Sequence, residues 1–560
     1  MRHTNRRFSR SWRSTLLVIL TLAAAALPAA ADPTLAWSTY LGGSRNDAGT
    51  AIAVWQGITF VAGATFSADY PVVSVSSSKP GNDETTSDAF VTALDSSGAP
   101  IYSTYLPLGE GNERVAGIDI GPDGSAYVVG TVTHEMGVDS VVVKLDPWGN
   151  VAWTRELNGV VWVFEVAVDG QGNAYVIGYD NTDSLAQSFL LRLGPDGSTH
   201  YRLEFERDAW TLNDIAGDAS GNAYLSGSTE NDNLPNPTGA APDSLNCFVM
   251  KISPAGSILW SAYLGGKMVD GGGDLVMAPD GSVVVTGQAG FGFPALNALQ
   301  PEAFGTTTNG FLVRLSPSGA PIFSTYLQAS WVPDLAVTAS GIHMAVSDEE
   351  YDSPFRQLLD SACGPFFLVT LDANASRIQD ATCLDSYSMH FPKIAADLTG
   401  IYVTGTASPA LPVENAWQPA PAGGEDAFAA KLDLNSAPDC SVAVASHASL
   451  WPANGRFVSV PLRSVKDSKG RAPTITLTAI FQDEWLTVSG TPDATGVGTS
   501  RARLRVSRLN GGDGRVYHLR FTATDARGDT CTGTVKVCVP LTRGGTCVDG
   551  GARVDSTRAF

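Results

Sequence analysis

The sequence predicts an all-β protein: a ring of seven four-stranded sheets, a β-propeller closed by its own amino-terminal outer strand, followed by a small β-sandwich. Three observations carry that expectation. Four short strand phrases recur in fixed order through residues 35–433. The outermost phrase is one copy short inside the array, and the missing copy stands near the start of the chain. From Cys440 onward the recurrence gives way to separate β-runs. A unit of four short strands cannot bury both faces of its own sheet, so such units must stack, and a closed ring leaves no open edge.

Residues 1–31 read as a cleaved export segment. Arg2, Arg6, Arg7, Arg10 and Arg13 make a basic start. Residues 16–27 are apolar but too short and alanine-rich for a membrane span, and Ala29-Ala30-Ala31 matches a small-residue cleavage site. The surroundings of Arg6-Arg7 fit twin-arginine export poorly, so Sec-type export to the cell surface or medium of a bacterium is expected. No later segment is long and apolar enough to span a bilayer.

The ring is expected over residues 32–434, with phrases lettered A to D from centre to rim. Phrase A is a short apolar strand ending near Asp or Gly, at 51–54, 117–120, 166–169, 214–218, 274–278, 334–338 and 394–397. Phrase B follows a tight turn such as Pro122-Asp123-Gly124 and ends in Gly, as in Tyr127-Val128-Val129-Gly130. Gly in these turns supplies the positive backbone angles that hairpins need. Phrase C reads Asp88-Ala89-Phe90-Val91-Thr92-Ala93-Leu94, with relatives at 139–146, 309–316 and 426–433. Phrase D reads Tyr102-Ser103-Thr104-Tyr105-Leu106, and recurs at 260–264 and 323–327. Its seventh copy, Trp37-Ser38-Thr39-Tyr40-Leu41, is expected to pair beside 426–432, a non-local contact that locks the ring. The recurrent Tyr40, Tyr105, Tyr263 and Tyr326 are assigned to packing between units. Most length variation falls between B and C, as at 66–87 and 288–308, which maps insertions to one face.

These four phrases in this order resemble the seven-bladed-propeller (SBBP-type) repeats of exported bacterial proteins, over residues 35–433. Units three and four depart from the pattern, with Trp153-Thr154-Arg155-Glu156-Leu157 and His200-Tyr201-Arg202-Leu203 in place of Ser-Thr-Tyr. The resemblance implies a binding or scaffolding surface and brings no catalytic residues with it. After the linker Asn435-Ser436-Ala437-Pro438, six β-runs through residues 435–547 predict the sandwich. The stretches Leu450-Trp451-Pro452-Ala453-Asn454-Gly455, Asp483-Glu484 and Gly512-Asp513-Gly514-Arg515-Val516-Tyr517 resemble an Ig-like module found at the end of bacterial surface proteins. Ala453 and Gly455 stand where that pattern commonly has a proline and a histidine, so no role of the histidine carries over. Residues 548–560 are polar and read as a flexible tail.

Charge is unevenly placed. Residues 32–435 hold 15 basic and 46 acidic side chains, whereas 436–560 hold 16 and 10. The acidic body repels nucleic acid and anionic membranes at long range, so neither is expected as a partner. Folding a hairpin about residue 373 brings Cys363 and Cys383 opposite one another, within reach of a bridge. Cys440, Cys531, Cys538 and Cys547 allow three connectivities, of which 440–531 with 538–547 is preferred. Cys247 is left over on an apolar strand, as a buried inert thiol.

No metal-ligand histidine spacing, nucleophile elbow, Walker loop or dinucleotide fingerprint occurs in a supporting context. No catalytic residue and no cofactor are assigned. Calcium is the one metal weighed. Asp123, Asp169, Asp196, Asp218 and Asp280 lie at turns whose chemistry explains them without a metal, and Asp483, Glu484, Asp525 and Asp529 form the better cluster. The links from D to the next A supply candidate ligand-face residues: Asp47, Glu110, Glu113, Trp210, Asp270, Trp331, Tyr387 and His390. Acids with a few aromatics in a ring suit a sugar or a peptide. The expected function is therefore a monomeric, non-enzymatic binding or scaffolding protein outside the cytoplasm, meeting a glycan, peptide or protein on one ring face. The alternatives are an extracellular polysaccharide hydrolase or lyase with carboxylates in the ring's funnel, and a structural surface-layer component.

Overall fold

The structure is a computed structural model. It describes residues 34–559 except 75–84, 136, 160, 183–186, 206–209, 232, 239–244, 267–269, 304–308, 328, 330, 348–354, 356–362, 364–365, 385–389, 408–410, 435–437, 467–471, 486–489 and 526–529. The export segment expected at 1–31 lies outside the described residues. Among the described residues no helix is long and apolar enough to cross a membrane.

Strand β1 (Thr34–Leu41) precedes six consecutive four-stranded antiparallel sheets. Sheet one holds β2 (Asp47–Trp55), β3 (Ile58–Thr65), β4 (Asp88–Leu94) and β5 (Pro100–Tyr105). Sheet two holds β6 (Asn112–Ile120), β7 (Ala126–His134), β8 (Gly137–Leu145) and β9 (Val151–Leu157). Sheet three holds β10 (Val161–Val168), β11 (Ala174–Asp180), β12 (Gln187–Leu193) and β13 (Thr199–Glu204). Sheet four holds β14 (Trp210–Gly217), β15 (Ala223–Thr229), β16 (Asn246–Ile252) and β17 (Ile258–Leu264). Sheet five holds β18 (Gly271–Met277), β19 (Val283–Ala289), β20 (Asn309–Leu315) and β21 (Pro321–Leu327). Sheet six holds β22 (Trp331–Thr338), β23 (Gly341–Ser347), β24 (Phe366–Leu371) and β25 (Ile378–Cys383). The next sheet takes β26 (His390–Ala396), β27 (Gly400–Ala407) and β28 (Asp426–Asp433), and its fourth strand is β1. The inner strands touch in the closed order β2, β6, β10, β14, β18, β22, β26 and back to β2, which is a propeller ring.

The seam is held on both edges of β1. One edge pairs with β28 from Thr34 opposite Asp433 to Leu41 opposite Ala427. The other meets the segment between β27 and β28: Ser38 N donates to Glu414 O at 2.8 Å, and Gln418 N donates to Thr39 Oγ1 at 2.8 Å. Adjacent sheets are latched by the first aromatic of the D strand, which lies on a positive-φ turn of the next sheet. A Cβ on Gly98 (φ 82°) would stand 2.8 Å from Trp37 Cδ2, and one on Gly319 (φ 83°) 2.8 Å from Trp260 Cδ2. Trp37 Nε1 and Trp260 Nε1 donate to Ser96 O and Pro317 O, at 3.1 and 3.0 Å.

The second aromatic of the D phrase packs in cores shared by neighbouring sheets, as expected, and its hydroxyl does something further. Tyr105, Tyr263 and Tyr326 donate to Ser67 O, Asn231 O and Gly290 O at 2.8, 2.9 and 3.0 Å, and Tyr40 OH accepts from Leu411 N at 3.2 Å. All of these partners lie on the B-to-C insertion of the tyrosine's own sheet. The preceding serines clasp the same insertions: Ser103 N donates to Val73 O, Ser324 N to Leu296 O, and Ser261 Oγ to Pro235 O. The Ser-Thr-Tyr phrase therefore accompanies long insertions. Glu156 and Glu204 take the tyrosine's register position in sheets two and three, whose connections are short. In sheet six that position, opposite Phe367, is Cys383, and its disulfide to Cys363 replaces the tyrosine as tether.

The carboxy-terminal region adds β29 (Val444–Ala445), β30 (Phe457–Arg463), β31 (Thr474–Gln482), β32 (Ala494–Thr495), β33 (Arg501–Arg505), β34 (Arg515–Thr524), β35 (Thr530–Val539) and β36 (Val554–Asp555). They form two four-stranded sheets, β29-β30-β33-β32 and β35-β34-β31-β36, sharing one apolar core that includes Val460, Leu504, Leu477 and Leu519. Cys440–Cys531 and Cys538–Cys547 are bridged in the preferred pairing. Within the segment expected to be a flexible tail, Val554–Asp555 is instead a short edge strand. Ser556 N donates to Ile480 O at 3.0 Å, Ala494 N donates to Ser556 O at 2.8 Å, and Val554 is buried. The cause is the otherwise unpaired edge of β31, whose backbone groups need partners.

Candidate functional site at the ring axis

Every inner strand breaks register near the same level: between Gly49 and Ala51, Val115 and Gly117, Val163 and Glu165, Leu212 and Asp214, Gly272 and Leu275, Trp331 and Asp334, and His390 and Lys393. A bulge re-aims the side chains beside it. Glu165, Asp214, Asp274, Asp334 and Lys393 stand at or just after these breaks. With Asp119 they line one cavity of about 280 Å³ on the axis, whose walls include Ile118, Val166, Ile215, Leu275 and Ile394.

Four of the carboxylates reach forward to the next sheet. Asp119 accepts from Val168 N at 2.7 Å, Asp274 from Leu335 N at 2.7 Å, Asp334 from Ile394 N at 2.6 Å, and Asp214 from Leu275 N at 2.5 Å. Lys393 Nζ lies 3.8 Å from Asp334 Oδ1. Burial pushes Glu165 up to about 8, the nearby ammonium of Lys393 opposing it, and pushes Asp119 up to about 6. Asp214 and Asp334 stand well above the ordinary carboxylate range, from burial first; the charge of Asp274 adds to it in both. Lys393 is held above its ordinary value, chiefly by Asp334. At neutral pH the cavity thus offers protonated and ionised carboxyls together, donors as well as acceptors.

Beside Glu165 the same strand exposes two large aromatics. Trp162 is 41% and Phe164 38% exposed, whereas Val161 and Val163 alternate with them into the core. The next inner strand exposes Thr211 and Asn213 at matching positions, and β18 carries only Gly271, Gly272 and Gly273 there. On these three successive inner strands the matching positions thus stand just before the residues that line the cavity: aromatics on β10, small polar side chains on β14 and glycines on β18.

The ligand-face candidates read from the D-to-A links are placed differently. Asp47 accepts from Gly43 N at 2.8 Å and Ser67 Oγ at 3.0 Å. Glu113 accepts from Ala89 N and Gly109 N, both at 2.8 Å. Asp270 accepts from Gly266 N at 2.7 Å and Gly290 N at 2.9 Å. All three are buried, and their carboxylates tie the link to the neighbouring strands rather than face a ligand. Burial raises Asp47 to about 6 and Glu113 to about 7, and raises Asp270. Glu110 is exposed on its link, and Trp210 is half-buried against Phe205 and Phe248, with ring centres 5.8 and 5.0 Å away. Trp331 and His390 open β22 and β26, and Tyr387 lies outside the described residues.

The aspartates weighed for calcium meet cations of the chain itself. Lys144, Arg192, Lys251 and Arg314 lie 3.9, 3.5, 3.7 and 3.0 Å from Asp123, Asp169, Asp218 and Asp280. Asp196 caps its own turn at Ser198 N, 3.0 Å away. In the sandwich, Glu484 pairs with Arg515 at 3.2 Å, Asp483 accepts from Val516 N at 2.8 Å, Asp525 is buried, and Asp529 lies outside the described residues. Among the described residues no group of three His, Cys, Asp or Glu could hold a metal ion. Cys247 is a buried free thiol raised by desolvation, and His343 is buried between Thr338 and Thr370.

No family model matches the chain, and no curated protein matches it. Among solved structures it is similar to polysaccharide lyase Uly1, at 8% identity and TM-score 0.40, over 72% of this chain and 98% of that one. It is similar to the quinohemoprotein alcohol dehydrogenase of Comamonas testosteroni, at 12% identity and TM-score 0.38, over 76% and 78%. It is also similar to the β-propeller domain of Cps50 (Swd1) from Myceliophteria thermophila, at 11% identity and TM-score 0.37, over 70% and 98%.

Proposed function

We propose that this chain is a secreted or cell-surface binding protein, a seven-bladed propeller of the SBBP type with an Ig-like module, that holds a glycan at the mouth of the ring axis. The observation that carries this reading is the pair Trp162 and Phe164, exposed on the inner strand whose next residue, Glu165, lines the carboxyl-rich cavity. A sugar ring has an apolar face that stacks on an aromatic and hydroxyls that use donors and acceptors together. The test is a glycan array probed with the full chain and with Trp162→Ala. Binding to a defined glycan, lost in the variant while the melting temperature holds, supports the reading. Glycan binding that survives Trp162→Ala sends it elsewhere on the molecule.

A second reading, an extracellular polysaccharide hydrolase or lyase, is favoured by one specific feature. Glu165 at about 8 is protonated at neutral pH and faces the same cavity as Asp119, which at about 6 is ionised there. A general acid beside carboxylates is what glycosidic cleavage needs. New reducing ends or unsaturated products from a bound polysaccharide, abolished by Glu165→Gln, would establish it over simple binding.

A further inference from the structure

The sandwich carries a surface of the opposite charge. On β33, Ala502 and Leu504 are buried, Arg501 and Arg503 are exposed, and Arg505 is half-buried. The neighbouring β30 sets Phe457 opposite Arg505, Ser459 opposite Arg503 and Pro461 opposite Arg501, and ends in exposed Arg463. The guanidinium carbons of Arg503 and Arg505 lie 5.9 and 4.6 Å from the centre of the Phe457 ring, which is itself exposed. Arg505 Nε is 3.1 Å from Asp493 Oδ1. Among the described residues no carboxylate pairs with Arg463, Arg501 or Arg503.

Like charges at alternate positions of one strand stand roughly 7 Å apart and repel one another. Without counter-ions from the chain, such a row is relieved by a ligand with repeated negative charge. Arginine's planar fork matches a carboxylate in bidentate fashion, and the exposed Phe457 supplies a flat apolar surface beside it. A polymer with both features alternates a sugar ring with a carboxylate. Duplex DNA fits less well, because its phosphates are far denser, about one charge per 1.7 Å of axis. We propose that the outer face of the β29-β30-β33-β32 sheet binds a carboxylated polysaccharide, a polyuronate, independently of whatever the ring axis holds.

The experiment is affinity electrophoresis of the full chain in gels containing polygalacturonate, with dextran as neutral control and duplex DNA as a second polyanion. Retardation by polygalacturonate and not by dextran is expected, weakening as salt rises from about 50 to about 300 mM. Arg501→Glu with Arg503→Glu should lower the affinity at least about tenfold without moving the melting temperature, since both side chains are exposed; Phe457→Ala should weaken it further. Arg155→Glu, on an exposed position of the ring, should leave it unchanged, which separates this site from the ring. Absence of retardation at low salt, an unaffected double variant, or equal or stronger retention by duplex DNA overturns the proposal.

Discussion

Replacing Lys393 by methionine removes the only cation that faces the axial cavity among the described residues, while keeping an unbranched apolar stem. Asp334 then loses a charge partner 3.8 Å away. At an effective dielectric constant of about 20 that separation corresponds to about 4 kcal/mol. The Lys393 side chain is 35% exposed, so solvent screening reduces the figure to about 2 kcal/mol. The loss depends on pH with a definite sign. Glu165 stands near 8 in the folded ring against an ordinary 4.5, so between those values the folded state holds a proton that the unfolded chain releases. Stability from this group is therefore fully present below about 4.5 and falls as pH rises towards 8. Without Lys393 the remaining carboxyls are pushed higher still, and the fall steepens. Lys393→Met should cost about 2 kcal/mol at pH 8, and much less at pH 5, where the highest carboxyls are protonated in both proteins. Denaturant melts of the two proteins at pH 5, 6.5 and 8 read this directly. The turn aspartates, held below their ordinary range by Ser and Asn caps, act only below about pH 4, and Asp47 near 6 and Glu113 near 7, outside the cavity, contribute alike in both proteins. A loss of the same size at every pH, or none at pH 8, would refute the reasoning.

Three further outcomes follow from the packing. Tyr326→Phe leaves Gly290 O and Phe293 N without their shared hydroxyl and should cost about 2 kcal/mol, with faster proteolysis of the insertion between β19 and β20; an unchanged cleavage pattern would count against the clasp. Deleting Thr34–Leu41 opens the seam and should sharply lower the cooperative melting of the ring, whereas an identical melting curve would contradict closure by β1. Truncation before Val554 should lower the melting temperature of the sandwich and speed amide exchange at Ala494, whose N–H donates to Ser556 O.

The ring was legible because its units repeat chemistry as well as length. Gly in the turns, apolar runs in the C phrase and the displaced D copy each announce a backbone requirement. The axial site was harder to see for a physical reason. Asp214, Asp274 and Asp334 recur at the head of the A phrase in successive units, with Lys393 at that place in the next. An acid beside a strand reads as a turn or surface residue until a bulge, which leaves no local mark in sequence, turns it inward. Asp47, Glu113 and Asp270 mislead in the opposite direction, because polar residues on links suggest exposure. Here the N–H groups of Gly43, Gly109 and Gly266 on the links need acceptors, and the acids turn inside to meet them. The role of Tyr326 was half legible: recurrence reveals a contact, but its partner lies on an insertion whose sequence varies. The closing strand β36 is two residues long, too short for alternation to be read.

The most direct test is to map amide exchange in the full chain with and without the best ligand from a glycan array. Protection should concentrate on β10 and β14, around Trp162, Phe164, Glu165 and Asp214, and vanish in Trp162→Ala. Protection confined to the turns joining A to B and C to D, on the opposite face of the ring, would contradict a binding site at the axial mouth.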